Sequence, residues 1–362
     1  MTTLSSASAE RGTVAPATAG RAGVPRARAT MREVAALAGV SLKTVSRVVN
    51  REPGVSDDLV RRVQAAASEL DYRHDLTAST LRRSDRKSAT LGLLIEDVAN
   101  PFFSSVHRGI EEVARERGVA VFAASVDGDP DRERELVLAF SQRRVDAIII
   151  SPTVHEQVEL AHEQRGGLAV VCVDREPRGI DADLVVTDNE AGAALATRHL
   201  IEHGHRRIAF IGDHGRISTA EHRYEGFVDA MRTAGIAIDP ALVHRDADSD
   251  ESASSIVHRL MALPNPPTAI FGAQNLITMG VARALHQLGL HHEVALIGFD
   301  DFSMADALEP AITVVAQDPL TIGRTAAELA FARIDDPDLP TAHVVVPSTL
   351  ITRGSGEIRP AR

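Results

Sequence analysis

Short apolar runs alternate with amphipathic segments through most of the sequence, from residue 91 to residue 334. The apolar runs predict strands at residues 91–95, 119–124, 146–151, 168–173, 207–212, 268–272 and 294–299. The amphipathic segments predict helices near residues 103–117, 131–144, 155–165, 190–203, 220–234, 251–262, 275–288 and 319–334. Strands that alternate with helices are typical of parallel sheets. Because this stretch of about 270 residues is long for one doubly wound sheet, we predict two packed α/β subdomains.

Composition excludes several classes of protein. Because Cys172 is the single cysteine, a disulfide scaffold and a cysteine-based zinc site are both excluded. No run reaches the roughly 18–20 apolar residues that a membrane helix needs. The N-terminus also lacks the apolar segment of a secretory signal, so we expect a cytoplasmic protein.

The charge is divided unevenly along the chain. Residues 1–87 carry 15 Lys and Arg against 9 Asp and Glu, a net charge of +6, within a chain whose total is −11. A basic front on an acidic body is typical of a polyanion-binding head attached to a separate soluble module.

The N-terminal part divides into an extension, a head and a linker. Residues 1–29 lack periodicity and predict a disordered extension. Residues 30–73 predict three short helices, the first beginning with a capping box of Thr30 and Glu33. Ser41 and Ser56 are expected to cap the second and third helices. Residues 74–88 are polar and basic and predict a linker, after which the body occupies residues 89–362.

The first two helices have the pattern of a helix-turn-helix. Ala35, Gly39 and Val45 stand where this motif needs a small residue, a left-handed turn and an apolar seal. On the second helix three valines share one face, and Lys43, Ser46, Arg47 and Asn50 share the opposite face. Arg47 can donate two hydrogen bonds to guanine O6 and N7 in a major groove.

Two sets of residues are therefore predicted to contact DNA. Base edges would be read by Leu42, Lys43, Thr44 and Arg47. Phosphates would be contacted by Ser41, Ser46 and Asn50, and the hydroxyl of Thr44 suits such a contact too. The alternative is a small surface bundle that binds nothing.

The sequence resembles a known family along most of its length. The head closely resembles that of the lactose-repressor family (LacI/GalR) in the stretches ATMREVAALAGVSLKTVSRVVN and VSDDLVRRVQAAASELDYR. The body is similar to that family's body in TLGLLIEDVANPFF, HLIEHGHRRIAFIGD, STAEHRYEGF and VALIGFDD. The resemblance runs in order from residue 30 to about residue 353.

The resemblance implies a fold and a domain organisation. It implies an all-α helix-turn-helix head and an α/β body of two doubly wound parallel-sheet subdomains, like a periplasmic binding protein. The first subdomain would hold about residues 89–187 and 317–343, and the second about 188–316 and 344–353. The linker resembles the family's hinge helix, in which Leu81 would wedge between base pairs of the minor groove and Ala78 would let two hinges touch.

The cleft between the subdomains is the predicted site of a small molecule. Ligands of open α/β sheets bind beyond the carboxyl ends of the strands. This rule and the resemblance together select Asn100, Phe102, Phe103, Asp174, Thr219, Arg223, Asp248, Gln274, Asn275 and Asp300. Arg223 and Asp300 would supply a bidentate donor and an acceptor for hydroxyl groups. As alternatives, Asp174 could pair with Arg175, and Asp300 with its neighbour could cap the following segment.

We expect no metal and no cofactor. His199 and His203 share a helix face near His205, but Gly204 breaks the helix and no supporting carboxylate is evident in the sequence. The sequence also contains no Walker A, GxGxxG or G-x-S-x-G motif.

A regulator of transcription, most simply a repressor, is the leading hypothesis. Its partners would be a near-palindromic duplex operator and a small-molecule effector, either a sugar or a similar polar metabolite. The resemblance implies a homodimer, and we expect no tetramer built through a terminal coiled coil, because no leucine heptad follows the body. A solute-binding protein with a vestigial head would need an export signal, and an enzyme would need a nucleophile with its base or a cofactor loop. Neither feature is evident.

Overall fold

The computed structural model describes residues 29–49, 52–72 and 87–361. The chain separates into two units, residues 1–82 and 83–362, and each is described by itself. Three predicted features lie outside the described residues: almost all of the 1–29 extension, the phosphate contact Asn50, and most of the linker with Ala78 and Leu81.

The head consists of three helices: α1 (Met31–Ala38), α2 (Leu42–Val49) and α3 (Asp57–Glu69). The predicted capping box is present, since the backbone N–H of Thr30 donates to Glu33 Oε2 over 2.6 Å and the backbone N–H of Glu33 donates to Thr30 Oγ1 over 3.4 Å. The hydrogen bonds that the Glu33 carboxylate accepts from the backbone N–H and from the hydroxyl of Thr30 lower its pKa. Ser56 stands at the N-cap of α3, as predicted, but its side chain makes no capping hydrogen bond.

A sharp turn joins α1 to α2. Gly39 has φ 63° and ψ 38°, the left-handed conformation that favours glycine. Arg62 from α3 secures the turn, because its Nη2 donates to the carbonyl oxygens of Ala38 (2.8 Å) and Gly39 (3.3 Å). These bonds satisfy carbonyls that the end of a helix leaves unpaired.

The body contains twelve strands and eight α-helices within the described residues. The strands are β1 (Thr90–Ile95), β2 (Ala120–Ser125), β3 (Ala147–Ile150), β4 (Ala169–Val173), β5 (Asp183–Thr187), β6 (Ile208–Ile211), β7 (Val243–His244), β8 (Ala269–Gly272), β9 (Ala295–Phe299), β10 (Thr313–Ala316), β11 (His343–Val346) and β12 (Thr349–Ile351). The helices are α4 (Pro101–Glu116), α5 (Pro130–Gln142), α6 (Val158–Arg165), α7 (Asn189–Glu202), α8 (Ser218–Thr233), α9 (Asp250–Met261), α10 (Asn275–Leu288) and α11 (Pro319–Asp335).

Two six-stranded sheets have matching strand orders. One is β11-β5-β4-β3-β1-β2 and the other is β12-β10-β9-β8-β6-β7. Every described pairing is parallel except that of β10 with β12. The predicted fold class is confirmed, and β4 of the first sheet corresponds to β9 of the second. Carboxyl ends of equivalent strands therefore supply equivalent positions to the cleft.

Five strands were not predicted, and one predicted boundary is wrong. The missed strands are β5, β7, β10, β11 and β12, which have two to five residues. Strand β11 pairs with β5, from His343 opposite Leu184 to Val346 opposite Thr187. The chain therefore leaves the first subdomain after residue 346 rather than after residue 343.

Apolar side chains fill both faces of each sheet. Successive residues of one strand fall in different buried clusters, as Ile148 and Ile149 do in the first subdomain and Ile270 and Phe271 do in the second. Two-sided burial explains the near-continuous apolar strands of the sequence. None of the helices in the described parts of the chain is long and apolar enough to cross a membrane.

Candidate functional site

The apolar side of α2 is held inside the head. Val45 is fully buried in a cluster with Val34, Val63 and neighbouring alanines. At the amino end of the helix, Leu42 is 42% exposed and Lys43 is exposed. The spacing of the valines thus leaves the predicted base-reading end of α2 open to a partner.

The first turn of α2 is ordered by two hydroxyl groups. Ser41 Oγ accepts from the backbone N–H of Thr44 over 3.1 Å and lies 2.9 Å from Thr44 Oγ1. Ser41 is therefore the N-cap, as predicted. A phosphate contact by either hydroxyl, like one by Ser46, stays a prediction.

Arg47 lies along the loop that follows α2. Its Nη2 donates to the carbonyl oxygen of Pro53 over 2.6 Å, and its Nε is 3.4 Å from Glu52 Oε2. The side chain is 37% exposed, and an ion pair of that exposure contributes little. Reading a base requires the guanidinium to exchange these contacts for a guanine edge.

The cleft of the body collects nine of the ten residues that the sequence predicts for an effector. A small cavity of about 40 Å³ is lined by Asn100, Phe102, Phe103, Asp174, Thr219, Arg223, Gln274 and Asp300. An adjoining cavity of about 390 Å³ is lined by Asn100, Phe103, Asp248 and Gln274, among others. That these residues bind an effector stays a prediction.

Arg223, on α8, is held from three sides. Its Nε donates to Asn189 Oδ1 over 2.7 Å, and its Nη1 donates to the carbonyl oxygen of Ala273 over 2.8 Å. Its guanidinium carbon lies 3.9 Å from the centre of the Phe299 ring. The side chain is thereby fixed before any ligand arrives, which lowers the entropic cost of binding.

Asp300 faces Arg223 from the end of β9. The shortest distance between them is 3.8 Å, from Arg223 Nη1 to Asp300 Oδ2, which is an ion pair rather than a hydrogen bond. Gln317 Nε2 donates to Asp300 Oδ1 over 2.5 Å. The predicted pair is therefore assembled in one place.

Asp174 and Asp300 occupy equivalent positions in the two subdomains. Each follows the central strand β4 or β9 in a left-handed conformation, with φ 66° for Asp174 and 69° for Asp300. The backbone N–H of Asp174 donates to Val185 (3.0 Å), and that of Asp300 donates to Val315 (2.8 Å). Left-handed backbone is costly outside glycine and concentrates at functional sites.

Burial perturbs two carboxyl groups of the cleft. The pKa of Asp174 is raised to about 6 by burial, an effect that Arg175 and Arg223 oppose and Asp300 and Glu96 reinforce. Burial also raises the pKa of Asp213. Perturbed acids in a cleft are typical of functional sites.

A pair of asparagines bridges the subdomains. Asn275 Nδ2 donates to Asn100 Oδ1 over 2.9 Å, and Asn100 Nδ2 lies 3.4 Å from Asn275 Oδ1. Each residue also sits at the amino end of a helix, where Asn100 accepts from Phe102 and Asn275 from Leu276. Asn275 lines neither cavity and instead connects the two walls of the cleft.

Sequence reasoning missed four residues that shape the cleft and considered a fifth, Arg175, only as a partner of Asp174. Glu96 and Asp213 follow β1 and β6, so the rule of strand ends could have found them. Arg175 pairs with Glu96 and lies 3.6 Å from Asp174, in agreement with the ion pair considered as an alternative. The positioning residues Asn189 and Gln317 carry no local sequence signal.

The histidine cluster of the second subdomain has structural partners. His199 Nε2 lies 2.5 Å from Glu357 Oε1, a carboxylate the sequence analysis did not anticipate. His205 is buried between Thr268 Oγ1 (2.9 Å) and the carbonyl oxygen of Ile358 (2.7 Å). Within the described ranges, no group of three or more His, Cys, Asp or Glu could hold a metal ion.

Comparison with known proteins identifies both parts of the chain. Residues 30–75 match the bacterial regulatory proteins of the lacI family, and residues 197–356 match the periplasmic binding protein-like domain. The chain is 32% identical over 330 residues to the ribose operon repressor of Escherichia coli K12, covering 90% of this chain and 99% of that protein. The chain belongs to the LacI family of bacterial regulatory proteins.

Other regulators match over three quarters or more of this chain. The regulator GalR of E. coli K12 is 31% identical over 329 residues, which cover 90% of this chain and 95% of GalR. A CelR–cellobiose complex shares 29% identity at a TM-score of 0.67, covering 91% of this chain and all of that one. A LacI-family regulator from Enterococcus faecium with bound ribose shares 25% identity at a TM-score of 0.68, over 75% of this chain and all of that one.

Proposed function

We propose that this chain is a repressor that binds a duplex operator through α2 and is regulated by a small molecule in the cleft. The observation that carries the proposal is the outward presentation of the amino end of α2, with Val45 buried beneath it. This helix lies within the segment that matches lacI-family regulators. A protein that binds DNA in this way works in the cytoplasm.

The effector is proposed to be a sugar or a similar polar metabolite. Two solved relatives contain a bound sugar, cellobiose in one and ribose in the other. Each matches this chain over three quarters or more of its length. The buried Arg223 and Asp300 supply the donor and acceptor that hydroxyl groups need.

Regulation is proposed to act through the relative orientation of the subdomains. Two copies of the chain would place their α2 helices in successive major-groove half-sites of a near-palindrome. The hinge, with Ala78 and Leu81, would bend the centre of the site. A ligand between the subdomains changes DNA affinity only to the extent that it binds one orientation better than the other.

Two other classes of function are less well supported. A solute-binding protein would not use the exposed end of α2, and its binding to random DNA would depend little on salt. The DNA-binding reading predicts a steep loss of random-DNA affinity as salt rises. An enzymatic function has no support from the relatives' names, because these proteins are named as an operon repressor and a transcriptional regulator.

Selection from a random duplex library tests the proposal, because the operator sequence emerges from the selection itself. We expect enrichment of one near-palindromic sequence, and failure to enrich any sequence would contradict the proposal. On that sequence, Arg47→Ala should weaken binding by about 1–3 kcal/mol and relax one base position. Arg61→Ala, an exposed arginine of α3, is the matched control and should preserve the base preference.

A further inference from the structure

A separate cavity lies in the first subdomain, outside the cleft. It is enclosed by the first turns of α5, the loop that follows β3, and the start of α6. Its volume is about 310 Å³, at the lower end of the range of about 300–1,000 Å³ that small-molecule sites occupy. None of the residues that line it lines either cavity of the cleft, so it is a distinct site.

The carboxylate of Glu133 is buried in the wall of this cavity. Glu133 lies on α5 and is 6% exposed. Its Oε2 accepts a hydrogen bond from the backbone N–H of Thr153 over 2.7 Å, and burial raises the pKa of the group. In the described part of the chain, no lysine, arginine or histidine forms an ion pair with Glu133. Because a buried charge is costly unless it is paired, this carboxylate indicates a missing cationic partner.

The guanidinium that lines the cavity is committed to other carboxylates. Arg134 Nη1 donates to Asp131 Oδ1 over 2.7 Å, and Arg134 Nε lies 2.8 Å from Glu159 Oε1. The cavity is lined in all by four carboxylates, one guanidinium and one imidazole, so negative groups outnumber positive groups whichever form the imidazole takes. The carboxylates that Arg134 does not neutralise are those of Glu133 and Glu156.

Apolar side chains complete the wall. Val137 and Leu160 are each 1% exposed, and Pro130 lies beside them at the start of α5. An ammonium group on an aliphatic chain matches such a wall, because the chain covers apolar surface while the ammonium donates up to three hydrogen bonds. A metal ion matches it less well, since no group of three or more His, Cys, Asp or Glu among the described residues could hold one.

We propose that this cavity is a second ligand site, which binds an aliphatic diamine. One ammonium group donates to Glu133, the chain lies on Val137 and Leu160, and the second ammonium group pairs with Glu156. The inference goes beyond the proposed function, since the site shares no residue with the head or with the two cavities of the cleft and takes a cation rather than a sugar.

Titration calorimetry of the full-length protein in the absence of DNA tests the inference. The probes are putrescine, n-butylamine and 1,4-butanediol, which have the same chain length and carry two, one and no ammonium groups. We expect putrescine to bind most tightly, n-butylamine more weakly and the diol not at all. No binding of putrescine, or binding of either other probe as tightly as putrescine, would overturn the inference.

Substitution of Glu133 tests whether the amine binds in this cavity. Glu133→Gln keeps the shape of the side chain and an acceptor for Thr153 but removes the charge. It should weaken putrescine binding about tenfold or more, the effect of losing a hydrogen bond to a charged group. Glu135→Gln is the matched control, because Glu135 is an exposed carboxylate of the same helix outside the cavity, and it should leave the affinity unchanged. Equal affinities for the two variants would place the amine elsewhere on this acidic protein and overturn the inference.

A second variant keeps the test decisive if Glu133→Gln fails to fold. Glu156 is exposed, so Glu156→Gln should leave the fold intact. It should weaken putrescine binding about threefold, as expected for an exposed ion pair, and should change n-butylamine binding less. An unchanged affinity for putrescine, or an equal loss for both amines, would overturn the inference.

Discussion

Burial of the ionised Asp174 side chain in the cleft lowers the free energy of unfolding of the body. Its pKa is raised to about 6 because burial disfavours the ionised form. The ordinary value is 3.8, so the folded state binds the proton more tightly than the unfolded state. A difference of about two pKa units corresponds to about 3 kcal/mol, which destabilises the folded state at every pH above about 6. Below about pH 4 both states are protonated and the cost disappears.

Removing this charge should therefore stabilise the body. Asp174→Asn preserves the shape of the side chain and should raise the free energy of unfolding by up to about 3 kcal/mol at about pH 7.5. At about pH 5 the folded wild type is already mostly protonated, so the gain should shrink to about half. Ligand affinity should fall at the same time, since a charged acceptor is lost from the cleft.

Urea unfolding followed by circular dichroism, at one fixed protein concentration, measures this effect. Asp229→Asn is the control, because Asp229 is a half-exposed carboxylate on α8 paired with Arg232. It should change stability by less than about 1 kcal/mol at both pH values. A loss of stability for Asp174→Asn at about pH 7.5, or a gain that does not depend on pH, would refute the reasoning.

Two further predictions concern the body. Asn100→Ala removes the hydrogen bonds to Asn275 across the cleft. The ligand-free variant should therefore show a larger radius of gyration in small-angle scattering, and its sugar binding should be about fivefold weaker. An unchanged radius of gyration would contradict this prediction. Gly323→Ala should cost more than about 2 kcal/mol in urea unfolding, because a Cβ there would lie 2.1 Å from the carbonyl oxygen of Val106 on the crossing helix. Gly235→Ala is its control: Gly235 has φ 66° and open space around it, so only the backbone cost of about 1 kcal/mol is expected.

Features that depend on neighbouring residues could be predicted well from the sequence. The capping box of Thr30 and Glu33 and the turn at Gly39 each involve groups within a few residues of one another. The outward face of α2 follows from the valine spacing alone, because a helix repeats every 3.6 residues. Arg47 illustrates the limit, since its contacts with the following loop depend on side-chain conformations that no pattern encodes.

Features that depend on the pairing of distant segments could not be predicted. The strands β5 and β10 were missed, and the strands with which they pair become visible only in the assembled sheets. Arg62 of α3 donates to the carbonyl oxygens of the turn between α1 and α2, which lies more than twenty residues away along the chain.

The sequence by itself determined the helix-turn-helix, the alternation of strands and helices, the position of Asp300 at the end of a strand, and that of Arg223 in the first turns of a helix. These follow from local periodicity and from the rule that parallel strands finish at one edge. Only the tertiary structure decided that Arg175 meets Glu96, and that Asn100 meets Asn275 across the cleft. Those partners are 79 and 175 residues apart in the chain. Burial and charge at such sites are set by the order of strands in the sheets and by the approach of two subdomains, which no local pattern specifies.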